Sequence, residues 1–490
     1  MSEPYDAVVV GSGPNGLTAA AVLARAGLGV LVLEAHAELG GGLRTAALTL
    51  PGFRHDVCSA VHTMGCLSPA FELLGLEQRG LEWVHPPASV AHPLDDGPAV
   101  LLEPSLEATA RALGVDGRAY RALVEPFLGE PRRLFADLLA PLGVPRQPLV
   151  LARFGWLGLR SARALALGRF DDEAARALLA GCAAHSVQPL SHAVTAAFGL
   201  TFAIAGHVKA WPVARGGSQS IAAALVEACR TSGAKFETGR HVRSLRELPE
   251  ARAVLFDVAP RQLDAIAGEV LPDSFRHELT AYRMGPGCFK LDWALDGPIP
   301  WRDARCALAS TVHVGGSLDE IAAAEQAMWD GDHPERPFVL LTQQSHFDDT
   351  RAPEGRHTGY AYCHVPSGST RDMTAAIEAQ VERFAPGFRD RILARHALFP
   401  ADFEAMNPSH LGGAVTGGVA DWRQLFTRPS LRLNPYSTPH PRLFLCSQST
   451  PPGGGVHGMC GFHAARTVLR TVFGKSIELP IDARDQRAAS

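Results

Sequence analysis

The feature that most constrains this chain is a strand that runs straight into a glycine-rich turn and a helix. Ala7-Val8-Val9-Val10 reads as a short, fully buried parallel strand, and Gly11-Ser12-Gly13-Pro14-Asn15-Gly16 comes directly after it. Leu17 to Ala26 is alanine-rich and helix-forming, with Gly27 placed to end it. Val30-Leu31-Val32-Leu33 then reads as a second strand ending in Glu34, 18 residues after Gly16. Gly11 permits the tight turn, Gly13 lets backbone approach a pyrophosphate, and Gly16 lets helix and strand pack closely. The helix N-terminus offers free N–H groups and a positive dipole end to phosphates, while an acid at Glu34 suits ribose hydroxyls. A glycine turn alone would be weak evidence; both strands, the helix and the acid together predict an α/β, Rossmann-like dinucleotide-binding domain.

The residues after Glu34 separate FAD from NAD. Ala35-His36-Ala37-Glu38-Leu39-Gly40-Gly41-Gly42-Leu43-Arg44 is a second glycine-rich turn, and Arg44 offers a fork of donors to a diphosphate. This continuation resembles the glutathione-reductase-like flavoproteins, and more closely their amine-oxidase and phytoene-desaturase branch. The resemblance implies FAD as cofactor and a Rossmann-like FAD-binding domain of the glutathione reductase/amine oxidase type. It places Gly11, Ser12, Gly13, Pro14, Asn15, Gly16, Glu34, Ala35, Gly41, Gly42 and Arg44 around the cofactor.

Two later stretches extend the resemblance. Arg442 to Cys446 reads as a strand, Ser447 to Gly461 as a glycine-rich loop and Phe462 to Phe473 as a helix. In phytoene-desaturase relatives such a loop lies along the ribityl chain and flavin ring, which implies contacts from Gly455, Val456, Gly458 and Met459. In mid-chain, Arg215-Gly216-Gly217 leads into a helix over Ile221 to Thr231, then Lys235 to Thr238, and the resemblance puts the Val242 backbone on the adenine. Relatives carry a β-meander before the next strand, Ala253 to Val258, whereas only Arg243 to Arg252 lies between here. At Arg442 to Gly461 and Tyr282 to Trp301 the pattern looks closest to the group named pyridine nucleotide-disulfide oxidoreductase domain-containing protein 2.

Composition narrows the rest. In 490 residues, 46 basic side chains face 50 acidic ones, so the broad basic field of a nucleic-acid binder is absent and no nucleic-acid partner is expected. Nine scattered cysteines form no C-x-x-C pair, which argues against a disulfide framework, a zinc knuckle and a redox dithiol. No secretory signal is read at the N-terminus, so a reducing, cytoplasmic location is expected. Leu178 to Val208 lacks charge but is broken by His185, Ser186, Gln188, Pro189 and His192, so it reads as buried core in place of a membrane span. Gln147 to Leu167 mixes Leu, Phe and Trp with Arg153, Arg160 and Arg163; a core-packing amphipathic helix is favoured over a membrane-surface one, with peripheral membrane contact left open.

Helices are expected at Ser105 to Leu113, Tyr120 to Leu139 and Met373 to Phe384, and strands at Phe338 to Gln344 and Thr358 to Val365. Phe289 to Leu295 alternates as a strand with Lys290 and Asp292 on one face; a solvated sheet edge is favoured over a pair lining a site. The catalytic residue is left unknown. His457, inside the C-terminal loop, is a weak candidate whose favoured reading is a hydrogen-bonded loop residue, and His55 and His62 are weaker still. No Ser-His-Asp order, H-E-x-x-H or paired metal ligands stand out, so no metal is expected.

The expectation is an FAD-binding domain from 1–70, 210–265 and 420–475, a discontinuous α+β substrate domain from 71–209 and 266–419, and a tail at 476–490. The resemblance implies hydride transfer from a lipophilic, carotenoid-like small molecule to flavin N5, as desaturase, dehydrogenase or flavin-dependent isomerase. Oxygen or a quinone would accept the electrons, and a homo-oligomer is left open. The alternative is a non-catalytic lipid- or partner-binding protein on the same fold.

Overall fold

A computed structural model describes residues 5–481; the end of the expected tail, 482–490, lies outside the described residues. The chain adopts the expected α/β, Rossmann-type fold. Five parallel strands form one sheet in the order Leu443–Leu445, Ala251–Phe256, Tyr5–Val10, Val30–Leu33, Lys235–Glu237. The central strand is buried on both faces, which is why its sequence is a continuous apolar run. Ala7 and Val9 meet the helices Pro14–Arg25, Gln219–Thr231 and Met459–Val472, and Val8 and Val10 meet Leu263, Phe275 and Leu279.

That second face explains the short Arg243 to Arg252 segment. No strand forms between Glu237 and Ala251; Leu245, Leu248 and the helices Pro260–Ala267 and Asp273–Ala281 cover the sheet instead. The helices Pro14–Arg25 and Met459–Val472 pack so closely that a Cβ at Gly461 would overlap the carbonyl oxygen of Asn15. A Cβ at Gly16 would likewise overlap Gly11 O, the close approach the spacing predicts.

A second sheet has seven strands, ordered Ile392–Leu398, Gly287–Leu295, His357–Val365, Val339–Thr342, Ala309–Val314, Ala88–His92, Val100–Leu102. All its pairs are antiparallel except Ala309–Val314 with Ala88–His92. Phe289, Leu291, Trp293, Val339 and Leu341 pack on its back, with Ile377 and Val381 of the helix Thr374–Phe384. On the front lie the helices Glu173–Ala184, Thr195–Lys209 and Leu318–Trp329.

Four expectations are corrected. Gly287–Leu295 is an interior strand, and Lys290 and Asp292 are fully buried on its front face, so the solvated-edge reading fails. Tyr120 to Leu139 is not one helix: it splits into Gly117–Val124 and Pro131–Leu138, because Pro126 and Pro131 lack the N–H a continuous helix requires. Gln147 to Leu167 splits into Pro148–Gly158 and Ala162–Arg169, the second capped by Ser161 Oγ accepting from Ala164 N–H at 3.2 Å. The last helix starts at Met459, directly after Gly458 at φ 65°. Leu178 to Val208 is buried as two helices, and among the described residues no helix is long and apolar enough to cross a membrane.

Candidate functional site

One cavity of about 860 Å³ starts at the first glycine turn and continues to the front of the seven-stranded sheet. Gly11, Ser12, Gly13, Pro14, Asn15, Glu34, Ala35, Gly41, Gly42, Arg44, Val242, Gly455 and Val456 line it. Gly16, Gly458 and Met459 do not; they lie beneath it, where Gly458 packs on Thr18 and Met459 is fully buried.

Glu34 and Arg44 are held in place by their neighbours. Glu34 Oε2 accepts from Ser12 N–H at 2.8 Å and from Ser12 Oγ–H at 2.6 Å, and Oε1 accepts from His36 N–H at 2.8 Å. Arg44 donates from Nε to Gly41 O at 2.9 Å and from Nη2 to Met406 O at 3.1 Å. The buried Asn15 Oδ1 and Arg428 Nε, on residues that line the cavity, have no partner. In the first helical turn Pro14 has no N–H and Gly16 N–H is taken by Asp257, which leaves the Asn15 amide, on a residue lining the cavity, without an intrahelical acceptor. An acid, a free amide, an arginine and unpaired polar atoms, arrayed along a cavity that continues to the seven-stranded sheet, fit a dinucleotide cofactor such as FAD.

Asp257, expected inside the strand Ala253 to Val258, belongs to this end. It follows the strand Ala251–Phe256, lines the cavity, and accepts from Gly16 N–H at 2.8 Å beneath the glycine turn. Burial pushes its carboxyl up to about 7, against the pull of the Gly16 and Gly13 amides.

The other end is built from strands far apart in sequence. Lys290 Nζ is paired with Asp292 and lies 4.5 Å from the centroid of the Tyr360 ring. Asp292 also sits 3.5 Å from His55 Nδ1. Burial alone would raise its carboxyl, yet Lys290, His396 and His55 hold it below the usual range. Burial lowers His55 to about 4, against the attraction of Asp292. Next on the same face, Tyr362 and His364 line the cavity. His364 Nδ1 lies 3.0 and 2.9 Å from the two carboxylate oxygens of Glu325, on the helix Leu318–Trp329. A carboxylate can only accept, so the proton of a neutral ring sits on Nδ1 and Nε2 keeps its lone pair; among the described residues nothing bonds Nε2.

Phe198, Phe202, Trp211 and Leu340 supply the apolar wall. Within it, His185 Nε2 meets His313 Nε2 at 3.1 Å, and burial lowers His185 to about 3. The hydroxyls of Ser186 and Thr311, both cavity residues, are buried without partners. Val187, also on the wall, is held at φ 54°, strained for a β-branched residue. His62 lines the passage with Nε2 3.0 Å from Ser218 Oγ. His457 does not reach the cavity: it is buried, and its Nδ1 accepts from Met459 N–H at 3.0 Å.

Comparison with known proteins agrees with this fold. Residues 9–74 match the family described as NAD(P)-binding Rossmann-like domain. The chain is 26% identical to pyridine nucleotide-disulfide oxidoreductase domain-containing protein 2 of Mus musculus, over 96% of this chain and 94% of that protein. The resemblance seen in the sequence to that group is thereby met. A shorter match, 40% identical over 17% of this chain and 14% of the relative, is to all-trans-retinol 13,14-reductase of Macaca fascicularis. Among solved structures, putrescine oxidase bound to putrescine superposes with a TM-score of 0.62 at 16% identity, covering 96% of this chain and 99% of the other, a likeness of fold.

Proposed function

We propose that this chain is an FAD-dependent oxidoreductase acting on an apolar, polyene-like substrate, as a desaturase, a dehydrogenase or an isomerase. The observation that carries the reading is a single cavity leading from the Glu34 carboxylate and the glycine turns to a pocket walled by Phe198, Phe202, Trp211 and Leu340. A relative named for all-trans-retinol supports an apolar substrate.

Bound FAD would supply a two-electron acceptor that takes a hydride at N5. The other tasks fall to residues of this chain. Glu34, fixed by Ser12 and His36, accepts from ribose hydroxyls; the Asn15 amide and Arg44 meet the diphosphate. The aromatic wall excludes water and holds the reacting carbons in place. Of the two hydrogens lost when a C–C bond becomes C=C, one departs with the electron pair and the other leaves as a proton to His364 Nε2. Glu325 holds the imidazole in the tautomer that can accept it. The electrons then pass to oxygen or a quinone.

Anaerobic titration tests the substrate class. An apolar polyene such as phytoene, dispersed in detergent, is expected to bleach the oxidised flavin, whereas putrescine leaves it yellow. Bleaching by putrescine and by no apolar compound overturns the proposal.

A further inference from the structure

Between Asp137 and Asp171 the chain has no carboxylate side chain, yet it carries Arg146, Arg153, Arg160, Arg163 and Arg169. The same stretch concentrates exposed apolar groups. Of the fifteen large apolar side chains exposed among the described residues, six fall between 142 and 167. Val144 is 97%, Leu149 86% and Trp156 74% exposed.

The helix Pro148–Gly158 explains how both properties share one surface. Its inner face buries Phe154, Leu157 and Gly158; a Cβ on Gly158 would come 3.0 Å from Ala197 Cβ on the helix Thr195–Lys209. Leu149, Arg153 and Trp156 are spaced by four and three residues and share an outward face, and the exposed Arg160 follows two residues past the helix end. Arg153 donates only to a backbone oxygen, Ala122 O, at 3.3 Å, and no carboxylate pairs with Arg160 among the described residues. The helix beneath carries Phe198 and Phe202 on the cavity wall, so the outward patch lies one helix layer from the cavity.

We infer that this outward face, with the loop carrying Leu142 and Val144, docks on an anionic lipid bilayer. An interfacial helix with aromatic and aliphatic groups at its centre and unpaired arginines beside them buries the former at the headgroup boundary while the latter meet lipid phosphates. Asp137 and Asp319, which meet this surface, are each paired with an arginine of the stretch, Arg146 and Arg163, at 3.0 Å, while Arg153, Arg160 and Arg169 have no carboxylate partner among the described residues. The surface lies outside the cofactor cavity, so docking does not depend on the proposed chemistry.

Flotation of the purified full-length protein with lipid vesicles tests the inference. The protein is expected to float with vesicles of phosphatidylcholine and phosphatidylglycerol in equal parts and to be released by high salt. Each arginine is worth about fivefold in partitioning, so R153Q/R160Q is expected to bind about 25-fold more weakly. W156S is expected to lose about tenfold. Both variants change exposed positions and are expected to keep the wild-type thermal midpoint. Failure of the wild-type protein to bind mixed vesicles, or equal binding by R153Q/R160Q, overturns the inference. So does a concentration-dependent dimer dispersed by W156S, which would assign the face to a second copy of the chain.

Discussion

Replacing Arg351 by methionine is expected to destabilise the fold by about 3–5 kcal/mol, the cost of stranding buried charges. Arg351 is fully buried, with Nη1 2.9 Å from Asp56 Oδ2 and Nε 2.7 Å from Asp348 Oδ2, and both acids are equally buried. Its Nη2 also donates to Ala214 O at 3.3 Å. Asp56 accepts from Ser218 N–H at 2.7 Å and Thr45 Oγ–H at 2.9 Å, and Asp348 accepts from Gly216 N–H at 2.8 Å. One guanidinium therefore ties the turn after Arg44 and the Gly216-Gly217 turn to the segment following the strand Val339–Thr342. Burial alone would raise the Asp348 carboxyl, but Thr350 and Arg351 hold it below its usual range. A depressed carboxylate contributes stability that is present above its unfolded value and lost as pH falls through the folded one. In Arg351→Met the acids regain neutrality on acidification, so the difference between variant and wild type should shrink below the carboxylate range. Denaturant midpoints measured across pH check this, and an unchanged midpoint at neutral pH contradicts it.

Replacing His364 by glutamine is expected to slow flavin reduction by about 10²–10⁴-fold, the range for loss of a positioned acid or base. The imidazole faces the cavity with a free Nε2, and no residue assigned to FAD touches it, so flavin content should not change. Glu325→Gln should lose comparably. An amide can donate to Nδ1, which leaves the ring proton on Nε2, where it blocks acceptance. Stopped-flow reduction with whichever compound bleaches the wild-type flavin measures both. A wild-type rate in His364→Gln removes the residue from the reaction.

The two ends of the cavity differed in how legible they were in the sequence. The dinucleotide end is local: the strand, glycine turn, helix and Glu34 lie within thirty residues, and each glycine has a steric reason visible in the spacing. Asp257 was missed there, although an acid directly after a buried strand beside the glycine turn was a usable signal. The other end is assembled by strand register: Lys290 faces Tyr362 and Cys288 faces His364, pairings that no short-range pattern encodes. Lys290 and Asp292 were misplaced for a physical reason. Alternation shows that polar residues share a face, but a cavity and bulk solvent give the same pattern. Glu325 and His364 are 39 residues apart on different elements, and the positive φ of Val187 contradicts its residue type, so neither was foreseeable.

The central claim is that Glu34 and the glycine turns hold FAD, and the visible spectrum of the purified protein with its Glu34→Ala variant tests it most directly. The wild-type protein should be yellow, with FAD stoichiometric to chain. The variant, which loses the carboxylate that anchors Ser12 and that the proposal sets against the ribose, should retain about tenfold less under dialysis. A colourless wild-type protein that takes up no added FAD, or a variant with unchanged occupancy, would contradict the account.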